Sequence, residues 1–113
     1  MSAKEPKINI EILQEKLQGI RNQEGILGYI LRDQKSAAID LKDPTKMMDY
    51  AMISAAARDV GYDMTEILQM GEIDSIVVES EETKLLSINI NNHHLSLFMK
   101  KNVDHNNLCK SLM

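Results

Sequence analysis

The sequence predicts an α/β protein of the α+β type, in which helices sandwich a five-stranded antiparallel sheet. Three segments have apolar residues at helical spacing, five short segments are β-prone or alternate between apolar and polar residues, and short polar turns separate neighbouring strands. Their order is helix, two strands, helix, three strands, helix. Because the strands alternate, one face of the sheet should be more polar than the other.

The N-terminal segment, residues 1–7, is predicted to be a flexible tail, and residues 8–113 a single domain. In the first helix, with Asn9 as a suitable N-cap, apolar residues recur at helical spacing; these are Ile10, Leu13, Leu17 and Ile20. Residues 25–32 and 36–41 are β-prone, and the polar turn between them predicts a hairpin.

The second helix is predicted from residue 43 to about residue 70, with Asp43 as its N-cap and Pro44 in its first position. Gly61 leaves open whether this is one helix or two in tandem, because residues 63–66 form a capping-box pattern. Gly71 suits the C-terminal end of the helix.

This second helix has more apolar surface than one sheet can cover, since a single stripe about 100° wide is enough for a helix on a sheet. The first stripe comprises Met48, Ala51, Met52, Ala55 and Met70. An adjacent stripe comprises Ile53, Ala56, Ala57, Val60, Met64 and Ile67. The polar flank comprises Met47, Tyr50, Ser54, Arg58 and Thr65. The surplus predicts a face buried against another molecule, and therefore an interaction protein.

Three further strands are predicted at residues 74–79, 84–91 and 94–100, with a tight turn at Asn91-Asn92. Asp104 is expected to cap a last short helix that runs to the C-terminus.

Composition argues against several function classes. The net charge of −4 and scattered basic residues disfavour a nucleic-acid surface, and no apolar run approaches the ~20 residues of a membrane span. The N-terminus lacks the apolar core of a signal peptide, and Cys109 is a single cysteine, so we expect a cytoplasmic protein.

No residue pattern predicts catalysis or a cofactor. Gly25 and Gly28 lack the Lys-Ser/Thr pair of a phosphate-binding loop. His105 and Cys109 have the i, i+4 spacing of metal ligands and could form a zinc site with His93 or His94. A zinc-dependent enzyme is therefore an alternative, although a solvated terminal helix with one histidine is the commoner explanation.

From about residue 8 to residue 112, the chain resembles the Roadblock/dynein-light-chain family. The matching features are the element order, the Gly-Ile-Leu-Gly-Tyr-Ile segment at residues 25–30, the alanine-rich second helix, and the segments at residues 71–79 and 95–99. One departure is the first hairpin turn, Asp33-Gln34-Lys35, where such proteins usually have an Asp-Gly turn.

This resemblance implies a dimer, with itself or with a related chain, in which the second helices pack side by side and the third strands join edge to edge. It also implies a Ras-like small GTPase as the partner, which the protein would scaffold or regulate. The expected dimer interface comprises Met48, Met52, Ala55, Ile76 and Val78. The expected partner-binding residues are Met47, Tyr50, Ser54 and Arg58.

Two alternatives belong to other classes. Profilin-like sensor domains have a similar fold, but they need a ligand cavity of ~300 Å³ or more, which a small chain with few aromatic residues is not expected to contain. The chain could also be a structural subunit of a larger assembly.

Overall fold

The computed structural model describes residues 10–68, 75–90 and 92–112. The elements are α1 (Ile10–Arg21), β1 (Ile26–Arg32), β2 (Ala37–Leu41), a 3₁₀ turn (Pro44–Lys46), α2 (Met47–Leu68), β3 (Ser75–Glu79), β4 (Thr83–Ile90), β5 (His93–Lys100) and α3 (His105–Leu112). This order confirms the predicted fold class. The predictions made for residues 1–9, Met70 and Gly71 lie outside the described residues.

The five strands form one antiparallel sheet in the order β2-β1-β5-β4-β3. Strands β1 and β5 are neighbours although most of the chain lies between them, so the centre of the sheet is built from both ends of the sequence. Strands β2 and β3 are the outer strands.

The larger core lies between the sheet and the helices α1 and α3. Leu13, Leu17 and Ile20 of α1 are buried, as are Leu108 and Leu112 of α3. Their partners on the sheet are Ile26, Tyr29, Leu31, Leu86, Ile88, Ile90, Leu95, Leu97 and Met99. The alternating residues predicted to share one face of β4 and β5 therefore form the main core.

Helix α2 covers the opposite face of the sheet, over a smaller core. That cluster comprises Ile30, Leu41, Ala57, Leu85 and Phe98. The ring of Tyr50 stacks on Phe98 with 4.3 Å between centroids. This face is the more polar one, because Ser87 and Ser96 lie buried on it next to the apolar cluster.

The start of α2 differs slightly from the prediction. Asp43 Oδ1 accepts a hydrogen bond from the backbone N–H of Thr45 at 3.1 Å, and thereby caps the 3₁₀ turn. Pro44 opens that turn, and α2 itself begins at Met47. The predicted signals were correct, but they start a 3₁₀ turn that leads into the helix.

Helix α2 is continuous through Gly61, which answers the question that the sequence left open. The Thr65 hydroxyl donates a hydrogen bond to the Gly61 carbonyl at 3.0 Å, so it bonds back along the same helix. None of the helices that the structure describes is long and apolar enough to cross a membrane.

Side-chain hydrogen bonds hold the predicted first hairpin turn and confirm Asp104 as the cap of the last helix. In the first hairpin, Asp33 Oδ1 accepts from the backbone N–H groups of Lys35 and Ser36, both at 2.7 Å. Before α3, Asp104 Oδ1 accepts from the N–H groups of Asn106 and Asn107 at 3.0 and 3.3 Å.

Candidate functional site

The residues of α2 that face the sheet are small or polar. Ser54, Ala57 and Gly61 are buried, and Tyr50 is half-buried on Phe98. Their spacing of four, three and four residues is that of one helical stripe. The sheet therefore contacts a narrow stripe that carries little of the apolar surface of this helix.

The large apolar residues of α2 point away from the sheet. Met48, Met52 and Ile67 are 76%, 69% and 77% exposed. We call the whole set the outer face of α2; it comprises Met47, Met48, Met52, Ile53, Val60, Tyr62, Met64 and Ile67. Exposed apolar surface on this scale is typical of an interaction site.

Buried polar groups on the sheet face under α2 favour this orientation of the helix. Ser54 of α2 is 2% exposed, and its hydroxyl forms a hydrogen bond with the buried hydroxyl of Ser96 on β5. A large aliphatic side chain in place of Ser54 would leave a buried hydroxyl group without this partner, which is costly. The sequence interpretation that placed Ser54 on an outward flank as a partner-binding residue is therefore wrong about its position.

The other expected partner-binding residues lie in different environments. Met47 is exposed at the start of α2, whereas Tyr50 is held against the sheet by its stack on Phe98. Arg58 is half-buried and lines a cleft between α2 and the sheet. The structure does not bring these side chains together into one outward patch.

The residues expected at the dimer interface lie closer to a single surface than the expected partner-binding residues do. Met48 and Met52 lie on the outer face of α2, with Ala55 half-buried on the same helix. Val78 is exposed on β3. Ile76 is half-buried and faces α2, where a Cβ atom on Gly61 would lie only 2.8 Å from its Cδ1 atom. Strand β3 is an outer strand of the sheet, and it lies next to α2 where Ile76 approaches Gly61.

A cleft of about 730 Å³ lies between the C-terminal half of α2 and the sheet, contrary to the expectation that the chain has no sizeable cavity. Three of its residues form a row across the sheet, because Arg32 on β1 pairs with His94 on β5, and His94 pairs with Asn89 on β4. Arg58 lines the cleft from α2. The sequence analysis did not predict that Arg32 and His94 lie side by side in a cleft, because strand register cannot be read from the sequence pattern.

His94 is hydrogen-bonded through both ring nitrogens. Nε2 lies 3.0 Å from the Ser87 hydroxyl, and Nδ1 lies 3.0 Å from Asn89 Oδ1. The amide oxygen only accepts, so Nδ1 carries the proton of the neutral ring. Burial lowers the pKa of His94, and the positive charges of Arg58 and Arg32 lower it further.

The residues considered for a zinc site do not converge. His105 Nδ1 lies 2.9 Å from the Lys84 ammonium group, on the face of the sheet that α3 covers. His94 lies on the face that α2 covers. Within the described residues, no three histidine, cysteine or acidic side chains are arranged to hold a metal ion.

Comparison with known proteins identifies proteins of similar structure. No protein-family model matches the chain, and no curated protein matches its sequence. A Roadblock/LC7 domain from Streptomyces avermitilis superposes with a TM-score of 0.68 at 14% identity, over 95% of this chain and 89% of that domain. Gliding protein mglB from Thermus thermophilus matches with a TM-score of 0.57 at 17% identity, over 89% of this chain and 80% of its own length. The chain therefore has the Roadblock/LC7 fold that its sequence pattern resembles.

Proposed function

We propose that this protein is a homodimeric interaction module that binds a Ras-like small GTPase and scaffolds it or regulates its nucleotide cycle. The observation that supports the proposal best is the outer face of α2. Its methionine and isoleucine side chains are 41–77% exposed, and none belongs to either apolar core of the described residues. We assign the chain no catalytic residue of its own.

A second copy of the chain is the occupant that best fits this face. Exposed apolar side chains are distributed along the length of the outer face, so two copies related by a two-fold axis can bury these side chains against one another. Covering side chains such as Met48 and Met52 is favourable by about 25 cal/mol for each Å² of apolar surface removed from water.

The edge of β3 supports the same arrangement. β3 pairs with β4 on one side only, and its exposed Val78 lies on the face of the sheet that carries α2. An open sheet edge favours pairing with another strand. A two-fold axis beside β3 would pair the strand with its own copy in antiparallel orientation and would bring the two α2 helices together.

The GTPase is proposed from the resemblance of the sequence to the Roadblock/dynein-light-chain family, and the structural likeness supports it through the fold alone. Met47 is exposed at the start of α2 and is the best placed of the expected partner-binding residues. Tyr50 and Arg58 would contribute only through their exposed parts.

The dimer is tested by Met52→Glu, which puts a charge in the centre of the outer face. Sedimentation velocity should show a dimer for the natural chain and a folded monomer for this variant. Ile12→Glu is the matched control, because Ile12 is also an exposed apolar residue but lies on α1, on the other side of the sheet. A Met52→Glu variant that stays dimeric would refute the proposed interface.

The GTPase is tested by affinity capture with the purified protein, in the presence of GDP or of a non-hydrolysable GTP analogue. The expected result is a Ras-like GTPase, identified by mass spectrometry and retained in one nucleotide state. Binding of that purified GTPase should then be measured with the natural chain and with Met47→Glu. Capture of no GTPase in either state would contradict this part of the proposal and leave the dimer intact.

A further inference from the structure

We propose that the cleft between α2 and the sheet binds a small organic molecule through an oxyanion group, a phosphate or a carboxylate, held between Arg32 and Arg58. This is a second site, which shares Tyr62 with the outer face of α2 and borders β3 through Ser75 and Ile76. It does not depend on the GTPase proposal.

The cleft concentrates positive charge in a chain whose net charge is −4. Arg32 reaches it from β1 and Arg58 from α2, so the two guanidinium groups come from its opposite walls. Neither arginine forms an ion pair with a carboxylate of the described residues. The ion pair that the structure shows among these residues joins Arg21 and Asp40, at 3.2 Å. Guanidinium groups bind phosphate and carboxylate oxygens in a bidentate manner, and they are favoured for such sites.

Arg32 also has an unsatisfied donor. Its Nε atom is buried and has no hydrogen-bond partner within the described residues. A buried donor without an acceptor costs free energy, and more so when the group is charged. Because Nε is not exposed to the cleft, an oxyanion bound there would become its acceptor only through a rotation of the Arg32 side chain.

The carboxylate among the described lining residues is already engaged. Asp33 Oδ1 accepts hydrogen bonds from the backbone of Lys35 and Ser36, and from the Ser36 hydroxyl at 3.3 Å. These bonds hold Asp33 in the hairpin turn. Among the described residues, no ion pair joins Asp33 to Arg32 or Arg58.

The pKa of His94 responds to the positive charge of the two arginines. Its neutral ring is held by Ser87 and Asn89, and the charges of Arg58 and Arg32 oppose its protonation. Among the residues that the structure describes, the other titratable groups that line the cleft are His93, Asp33 and Tyr62. An anion between the arginines would offset their field, so its binding should raise the pKa of His94.

The size and lining of the cleft favour a small organic molecule over a bare ion. A volume of about 730 Å³ is within the range of ~300–1,000 Å³ that is typical of small-molecule sites. Ile76 and the ring of Tyr62 provide apolar surface, and Thr65 and Ser75 provide hydroxyl groups. The cleft therefore offers contacts to both the charged and the uncharged parts of a ligand.

The proposal is tested by titrating the full chain with inorganic phosphate and, separately, with acetate, against sodium chloride at equal ionic strength. Calorimetry should show saturable binding of at least one of the two anions. NMR of the histidine side chains should show that the same anion raises the pKa of His94. Phosphate binding alone would indicate a phosphorylated ligand, and acetate binding alone a carboxylate.

Variants locate the site. Arg32→Gln and Arg58→Gln should each weaken anion binding at least tenfold, whereas Lys110→Gln should leave it unchanged. Lys110 is an exposed cation on α3, behind the opposite face of the sheet. Arg58→Lys should restore binding only in part, because it keeps the charge but loses the bidentate geometry. Absence of saturable binding to the folded natural chain, or binding that both glutamine variants retain, would overturn the proposal.

Discussion

The hydroxyl groups of Ser54 on α2 and Ser96 on β5 form a hydrogen bond at a point where both side chains are buried. This hydrogen bond joins the middle of α2 to β5, near the centre of the sheet. Together with the buried Ala57 and Gly61, it lies on the stripe of α2 that faces the sheet, whereas the large apolar residues of the helix point outward. The proposed interface is therefore the side of α2 opposite a small and partly polar contact with the sheet.

Replacing one member of this pair should destabilise the fold. Ser54→Ala leaves the Ser96 hydroxyl without this partner, so we expect the free energy of unfolding to fall by about 1–3 kcal/mol. The double variant Ser54→Ala, Ser96→Ala should lose less than the sum of the two single losses, since they share one bond. Urea denaturation at a single protein concentration measures all three, and strict additivity would contradict the pairing.

Two glycines within helices should respond differently to alanine. Gly19 in α1 has open space where a Cβ atom would lie, so Gly19→Ala should raise the free energy of unfolding by up to about 1 kcal/mol. In α2, a Cβ atom on Gly61 would lie 2.8 Å from Cδ1 of Ile76, which would have to move. We therefore expect a smaller gain, or a loss, from Gly61→Ala. Equal gains in thermal or urea denaturation would show that α2 does not pack closely on β3.

The stability of the protein should fall as the pH is lowered through the range in which His94 titrates in the unfolded chain. The folded structure lowers the pKa of His94 through burial and through the charges of Arg58 and Arg32. Just below the unfolded pKa of about 6.5, the unfolded chain therefore binds more protons than the folded protein, and unfolding becomes more favourable. The loss should continue until the pH reaches the lower, folded pKa.

His94→Gln is the variant that checks this pH dependence. It removes the titrating group, so its free energy of unfolding should change less than that of the natural chain between about pH 7 and pH 5.5. Asp33 and Asp43 do not interfere, because the structure lowers the pKa of each carboxyl below its usual acidic value. Parallel pH curves for the two proteins would contradict the effect assigned to His94.

Much of the fold could be predicted because its signals are local. The alternation of Leu86, Ile88 and Ile90 identified a strand and its buried face, and Asp33 and Asp104 marked a turn and a helix start. Each such signal depends on residues within a few positions of one another, whose spacing matches the period of a strand or a turn. The surplus of apolar residues on α2 was also visible in this way.

The inward face of α2 could not be predicted in the same manner. Hydrophobic spacing alone favours an apolar stripe of α2 against the sheet, but the structure buries Ser54 and Gly61 there. The choice depends on the surface beneath the helix, where Ser96 needs a hydrogen-bond partner and the close approach to Ile76 requires a glycine. The cleft was missed for a similar reason, because Arg32, Arg58 and His94 are far apart in sequence.

Local sequence patterns are enough to predict the order of the elements, the turns and caps between them, and an apolar helix surface too large for one sheet. Tertiary contacts establish which stripe of α2 faces the sheet, and they place two arginines and a histidine in a common cleft. Local periodicity and capping are properties of neighbouring residues. The orientation of a helix and the register of strands depend on contacts between distant segments, where buried polar groups must find partners and side chains must fit.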